Sequence, residues 1–228
     1  MLFDEGDIER QHRALLDTSP GSDLLGASGI AVDLIRKINL SLSTASTDVV
    51  VVSTLGARLT NSIGATFKLM GAGYFGPAIH QLRDIADTAI LLEFFHRHPE
   101  SIDSWMKLEG MSRLDKFKTG NLVNRLKTQH GIETKWEIRF RRYSELGTHP
   151  STMGVLSIHS ETGLHLNPYF DKGKFSELLW EISIDSCDAA ETFVRALNSV
   201  SEIDLLAQFS GDFHLLDTTR ARIVMLQG

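Results

Sequence analysis

Arg142 and His149 stand seven positions apart in the segment Arg142-Tyr143-Ser144-Glu145-Leu146-Gly147-Thr148-His149-Pro150-Ser151. A guanidinium keeps its charge at physiological pH and grips phosphate oxygens through paired N–H groups, whereas an imidazole gains or loses a proton near neutrality. Together they supply what metal-free phosphate-ester cleavage needs: a phosphate ligand that also steadies growing charge, and a proton carrier. On an α-helix advancing roughly 100° per residue, seven steps come to about 700°, so both side chains point nearly the same way. RNA is the least demanding substrate for such a pair, because the ribose 2′-hydroxyl is its own nucleophile. One pair is sparse for both a base and an acid, and a two-fold dimer uniting two pairs would supply both.

The charge around this segment is uneven. Between Met111 and Arg142 stand nine basic residues (Arg113, Lys116, Lys118, Arg125, Lys127, Lys135, Arg139, Arg141, Arg142) and three acidic ones (Asp115, Glu133, Glu137), a local +6 in a chain of net charge -6. Such asymmetry suits a polyanion approaching one face, and Arg125, Lys127, Lys135, Arg139 and Arg141 are the candidate RNA-gripping residues. A solvated helix surface would carry the same run.

Other chemistries find less support. The pattern of glycines in Gly71-Ala72-Gly73-Tyr74-Phe75-Gly76 resembles a dinucleotide-binding loop, but a helix rather than a strand precedes it, so it reads as a turn between helices. Asp84 and Asp87 lack the matching Glu and His offsets of a di-iron or zinc site, and no metal or cofactor is expected. The one cysteine, Cys187, excludes an intrachain disulfide and sits mid-helix, where a core position is the simpler reading. His159 and His165, on opposite faces of a small hairpin, would not share a ligand. The acidic start, the lone cysteine and the absence of a run of about 20 apolar residues point to a cytoplasmic chain with no membrane span.

The elements that must position Arg142 and His149 are helical almost throughout. Helical periods run over about Ile8–Leu16, Asp23–Leu42, Thr47–Met70, Pro77–His96, Ser101–Leu108, Leu114–Gln129 and Lys174–Ser199, with a last helix over Glu202–Leu226 interrupted near Gly211. Val49-Val50-Val51-Val52 would favour a strand in isolation, but the helical spacing of Leu55, Leu59, Ile63 and Phe67 absorbs it. His80, Arg83, Asp84 and Asp87 form a polar stripe on the Pro77 helix, with Arg83 and Asp87 spaced to pair. Thr134 with Glu137 makes a capping box for the helix bearing Arg142, and Pro150 stops that helix at His149, leaving the histidine at a rim. Gly154–His159 and Leu164–Leu166 read as a β-hairpin, with His159 opposite Leu164.

The Arg142-to-His149 spacing within a helical chain resembles the HEPN superfamily (higher eukaryotes and prokaryotes nucleotide-binding). The chain is also similar to bacterial helical proteins that pair a Leu-Arg-x-x-x-acid helix, here Leu82-Arg83-Asp84-Ile85-Ala86-Asp87, with a Tyr…His-Pro-Ser ending, here Tyr143, His149, Pro150 and Ser151. Tyr143 occupies the place where the superfamily often has a small polar residue. The resemblance implies a helical bundle, often dimeric, acting as a metal-independent RNase in toxin–antitoxin or phage-defence systems. It assigns Arg142 to the phosphate and His149 to proton transfer; Arg83, Asp87 and Tyr143 are candidates to orient that pair.

The expected fold is therefore all-α: a single domain over 1–228, an antiparallel bundle of long helices with an N-terminal arm (1–22) and a hairpin insertion (150–173). The expected function is a HEPN-like endoribonuclease, a homodimer with an antitoxin or defence partner. Two other readings are a non-catalytic helical interaction or regulatory protein, and a small-ligand or metal-binding bundle using His80, Asp84 and Asp87.

Overall fold

Tertiary burial, not local propensity, decides the Val49–Val52 run: in the computed structural model it lies inside one continuous helix that Ser46 opens by accepting the N–H of Val49. The structure describes residues 5–42, 46–148, 151–157, 159–160, 163–165 and 167–226, and it is helical almost throughout. In chain order the elements are α1 (Gly6–Leu16), α2 (Gly21–Ser41), α3 (Thr47–Gly71), α4 (Phe75–Arg97), α5 (Ser101–Lys107), α6 (Gly110–Phe117), α7 (Thr119–His130) and α8 (Lys135–Tyr143). A π-turn (Ser144–Thr148), α9 (Thr152–Ser157), the strand pair β1 (His159–Ser160) and β2 (Gly163–Leu164), α10 (Lys172–Val200), α11 (Leu205–Gln208) and α12 (Ser210–Met225) complete it. No helix among the described residues is long and apolar enough to cross a membrane.

α10 is the axis of the core. It packs on α2, α3 and α4, and every residue from Glu181 to Ala190 is buried. A helix covered on all sides must present a small or apolar residue wherever a neighbour comes close. Ser183 meets α2 by donating to the Leu24 carbonyl at 2.8 Å, Cys187 packs against the Ala27 carbonyl, and on α3 Gly56 makes room for the Phe193 ring. Burial pushes the Cys187 thiol up to about 12, which makes it an inert core residue.

α1 is tied to this core by His12. The ring is buried and stacks on Phe175 at 4.5 Å, its Nδ1 lies 2.9 Å from the Gly71 carbonyl, and its Nε2 accepts the N–H of Asp171. Donating at Nδ1 and accepting at Nε2 is the neutral imidazole, and burial accordingly lowers its pKa. One side chain thus joins α1, the α3–α4 turn and the start of α10.

Several boundaries follow local chemistry. Gly131 ends α7 in the left-handed region (φ 67°), with its own N–H and that of Ile132 closing back on Lys127 and Leu126. The glycine-rich stretch from Gly71 is the α3–α4 turn. Thr134 caps α8 by accepting the N–H of Trp136, but Glu137 turns outward to Arg141, so only half of the capping box forms.

Four expectations about the course of the chain require correction, the first being the single helix expected over Leu114–Gln129, which is divided at Lys118 into α6 and α7. Residues 152–157 are helical because Ser151 accepts the N–H of Gly154 through its hydroxyl and that of Val155 through its carbonyl; the strand expected from Gly154 shrinks to β1, where His159 faces Leu164. The C-terminal break falls at Phe209, between α11 and α12, and Gly211 lies inside α12. Finally, Ser144–Thr148 is a π-turn, whose wider i→i+5 loop turns the chain less per residue, so the 100° count from Arg142 does not run through this segment.

Candidate functional site at the end of α8

The inner face of α8 carries Lys135, Arg139, Arg142 and Tyr143, and it lies against a row of carboxylates on α10. The partners run in reverse order along the two helices. Lys135 reaches Asp188 at 2.6 Å, Arg139 reaches Asp188 at 2.8 Å, Tyr143 donates to Asp185 at 2.8 Å, and Arg142 holds Glu181 at 2.5 Å and Glu177 at 2.9 Å. Arg220 of α12 closes the far end on Asp188 and Glu191. Three of the nine cations of this segment, Lys135, Arg139 and Arg142, are thus matched by α10 carboxylates.

The carboxylates of this row differ in character. Asp185 is fully enclosed, and burial pushes its pKa up to about 7 against the pull of Arg139 and Tyr143. Arg139 Nη1 lies 3.0 Å from Asp185 yet is not aligned for a hydrogen bond, so this contact is Coulombic. Burial works to raise Asp188 as well, but Arg139 and Lys135 overcome it and hold that carboxyl below its ordinary range. Glu181 is raised by burial, with Arg142 opposing. Two acids one turn apart are therefore shifted in opposite directions, Asp185 up and Asp188 down.

Arg142 is half exposed at the solvent end of the row. It lines two cavities, one of about 360 Å³ shared with Tyr143, Glu145 and Lys174, and one of about 590 Å³ shared with Lys172 and Trp180. The helix end that carries it is braced from both sides. Arg83 of α4 donates to Ser144 at 3.0 Å while lying over the Phe140 ring, and Tyr143 is anchored in the core through Asp185. Gly147 packs so closely on Ile79 that a Cβ there would stand 2.8 Å from its methyl group. His149 lies outside the described residues.

The structure separates the other candidates. Arg83 stands beside the Arg142 helix end, but Asp87 does not pair with it; Asp87 accepts from the Thr119 hydroxyl on another side of α4. Asp84 pairs with Arg58 and accepts from Ser62 at 2.7 Å. Asp84 and Asp87 line a cavity of about 970 Å³ between α3, α4 and the α5–α7 segment, whereas His80 is exposed. Among the described residues no three His, Cys, Asp or Glu side chains converge as metal ligands. Of the RNA-gripping candidates, Lys135 and Arg139 serve α10, Arg125 lies over Phe94, and Lys127 and Arg141 make surface pairs with Glu133 and Glu137. Trp136 and Tyr143 are buried and cannot stack on a base.

Glu177, Glu181, Asp185 and Asp188 are the residues sequence reasoning missed. Their signal was present: carboxylates at offsets of four, four and three trace one stripe along an otherwise apolar helix, matching the offsets of four and three among Lys135, Arg139 and Arg142. No family model matches this chain, and no curated protein or solved structure does.

Proposed function

We propose that the protein is a HEPN-like, metal-independent endoribonuclease of a toxin or phage-defence system, working in the cytoplasm as a homodimer, with Arg142 as phosphate ligand and His149 as the proton carrier. The observation that carries this is the setting of Arg142: a half-exposed guanidinium on a doubly braced helix end, opening on two cavities, seven residues before a histidine. Its pair with Glu177 is largely exposed, and exposed pairs contribute only about 0–1 kcal/mol, so a phosphate can displace that carboxylate. Lys127 and Arg141, similarly paired at the surface, can exchange partners for an RNA backbone. In the reaction the 2′-oxygen attacks phosphorus and loses its proton to a base. The 5′-oxygen leaves with a proton from an acid, and a 2′,3′-cyclic phosphate remains. Two His149 side chains, one from each copy, would divide these roles.

The closure of Arg142 on Glu177 and Glu181 favours a second reading, in which the ionic row fixes α8 to α10 and the chain is a non-catalytic interaction or regulatory protein. Digestion of RNA in EDTA by wild type, Arg142→Ala and His149→Ala separates the two. Nuclease action predicts cyclic-phosphate ends and a loss of about 100-fold or more in each variant. Cleavage unchanged by His149→Ala, or none by wild type, removes the nuclease reading.

A further inference from the structure

Two histidines that neither functional reading uses meet where α4 and α7 end. His98 is the C-cap of α4 and His130 the last residue of α7, 32 positions on, and their Nε2 atoms lie 2.9 Å apart. The His98 ring is held in place: it stacks on Phe94 with centroids 4.7 Å apart, is only 17% exposed, and has its Nδ1 3.0 Å from Glu100 Oε1. That carboxylate accepts the Nδ1 hydrogen, which leaves a lone pair at Nε2. The hydrogen between the two Nε2 atoms therefore belongs to His130, whose side chain is exposed and free to turn.

We infer that this pair is a chelating site for a divalent transition-metal ion of the Ni²⁺ and Cu²⁺ type. Imidazole nitrogen suits such ions, and a carboxylate behind a ligating ring is the arrangement that orients histidine at metal centres and raises its basicity. The spacing fits as well. Two nitrogens 2.9 Å apart, each about 2.0–2.1 Å from one ion, subtend about 90° there, the angle between neighbouring positions of a tetragonal or octahedral sphere. A tetrahedral zinc ion would need them about 0.4 Å further apart. The ion takes the place of the shared hydrogen, which passes to Nδ1 of the His130 ring, and His130 turns until both lone pairs meet the metal. Among the described residues no third His, Cys, Asp or Glu ligand converges here, so water completes the sphere and the ion exchanges freely. Bound, it joins the ends of residues 99–129, the excursion through α5, α6 and α7 that walls the cavity of about 970 Å³. This site goes beyond the nuclease reading, whose assay in EDTA strips the ion, so the two fail independently.

Calorimetric titration of the full chain with NiCl₂, CuCl₂, ZnCl₂ and MgCl₂ tests it, with thermal melts alongside. Cu²⁺ and Ni²⁺ are expected to bind in the micromolar range, Zn²⁺ more weakly than Cu²⁺ and Mg²⁺ not at all, and saturating Ni²⁺ should raise the Tm. His130→Gln, an exposed change whose metal-free melt should match wild type, is expected to weaken Ni²⁺ at least about tenfold, and Glu100→Gln by several-fold. No Ni²⁺ binding by wild type, Ni²⁺ affinity unchanged in His130→Gln, or Mg²⁺ bound as tightly as Ni²⁺ would each overturn the proposal.

Discussion

Tyr143 donates its hydroxyl hydrogen to Asp185 across 2.8 Å, and both groups are buried. The bond favours the ionised carboxylate, which burial alone would keep protonated. Removing the hydroxyl in Tyr143→Phe leaves Asp185 with only the misaligned Arg139, at a cost of about 1–3 kcal/mol in urea unfolding. The loss should be larger at pH 8 than at pH 5.5; equal losses at the two pH values would mean that Asp185 is not ionised in the folded protein.

Asp185 also sets a pH dependence of its own. Its folded pKa, about 7, exceeds the ordinary 3.8, so between those values the folded state binds the extra proton. The contribution of this group to stability is complete below pH 4 and is lost as pH rises through 7. Asp185→Asn should remove that decline, which melting temperatures measured from pH 5 to pH 8 would register.

His12 acts in the opposite sense. Burial lowers its folded pKa below 6.5, so its contribution is present above pH 6.5 and is lost as pH falls through the folded value. His12→Gln, which retains a donor and an acceptor, should reduce the acid-side loss while leaving the Asp185 decline at higher pH in place. Persistence of the full acid-side loss in His12→Gln would assign it to other groups.

Removal of one partner from a buried ionic cluster costs about 3–5 kcal/mol. Arg139 is largely buried between Asp185 and Asp188, whereas Arg141, two residues on, faces solvent. Arg139→Met is expected near the lower end of that range because Lys135 and Arg220 still serve Asp188, and Arg141→Met to change stability by less than about 0.5 kcal/mol. Similar values for the two in denaturant titrations would show that the row contributes little.

Two glycines of α3 make a packing test. A Cβ at Gly56 would come within 2.4 Å of the Phe193 ring, whereas one at Gly64 meets nothing within 4 Å. Gly56→Ala should cost about 1–3 kcal/mol through overpacking, and Gly64→Ala should stabilise by up to about 1 kcal/mol through helix propensity. The sign difference is read from thermal melts of the two variants.

Much of this architecture is written locally. Gly131, Thr134 and Pro77 announce helix ends, and the apolar period of Phe175, Leu178, Ile182, Ala189 and Phe193 announces α10. What escaped is the use of charge. A cation is ordinarily solvated, so a run of them reads as surface, and only the position of α10 reveals that Lys135 and Arg139 face inward. The π-turn escaped for a related reason: Ser144, Glu145 and Leu146 suit either helical winding, and the choice is made by tertiary contacts such as Arg83 on Ser144 and Gly147 on Ile79. His149 was legible as a candidate only through its spacing, and its place beside Arg142 remains part of the proposal.

The enclosure of α10 bears on the order in which the chain can be assembled. Its partners α2, α3 and α4 precede it by up to about 150 residues, as the Ser28–Ser183 contact shows with a separation of 155. Closing so long a loop is entropically costly, and the three earlier helices surround a trench that they cannot fill themselves. A chain ending at Asp171 should bind an apolar dye strongly and melt without a cooperative transition, while the full chain does neither. Synthesis of residues 172–200 is then the step at which a sticky intermediate becomes a protein.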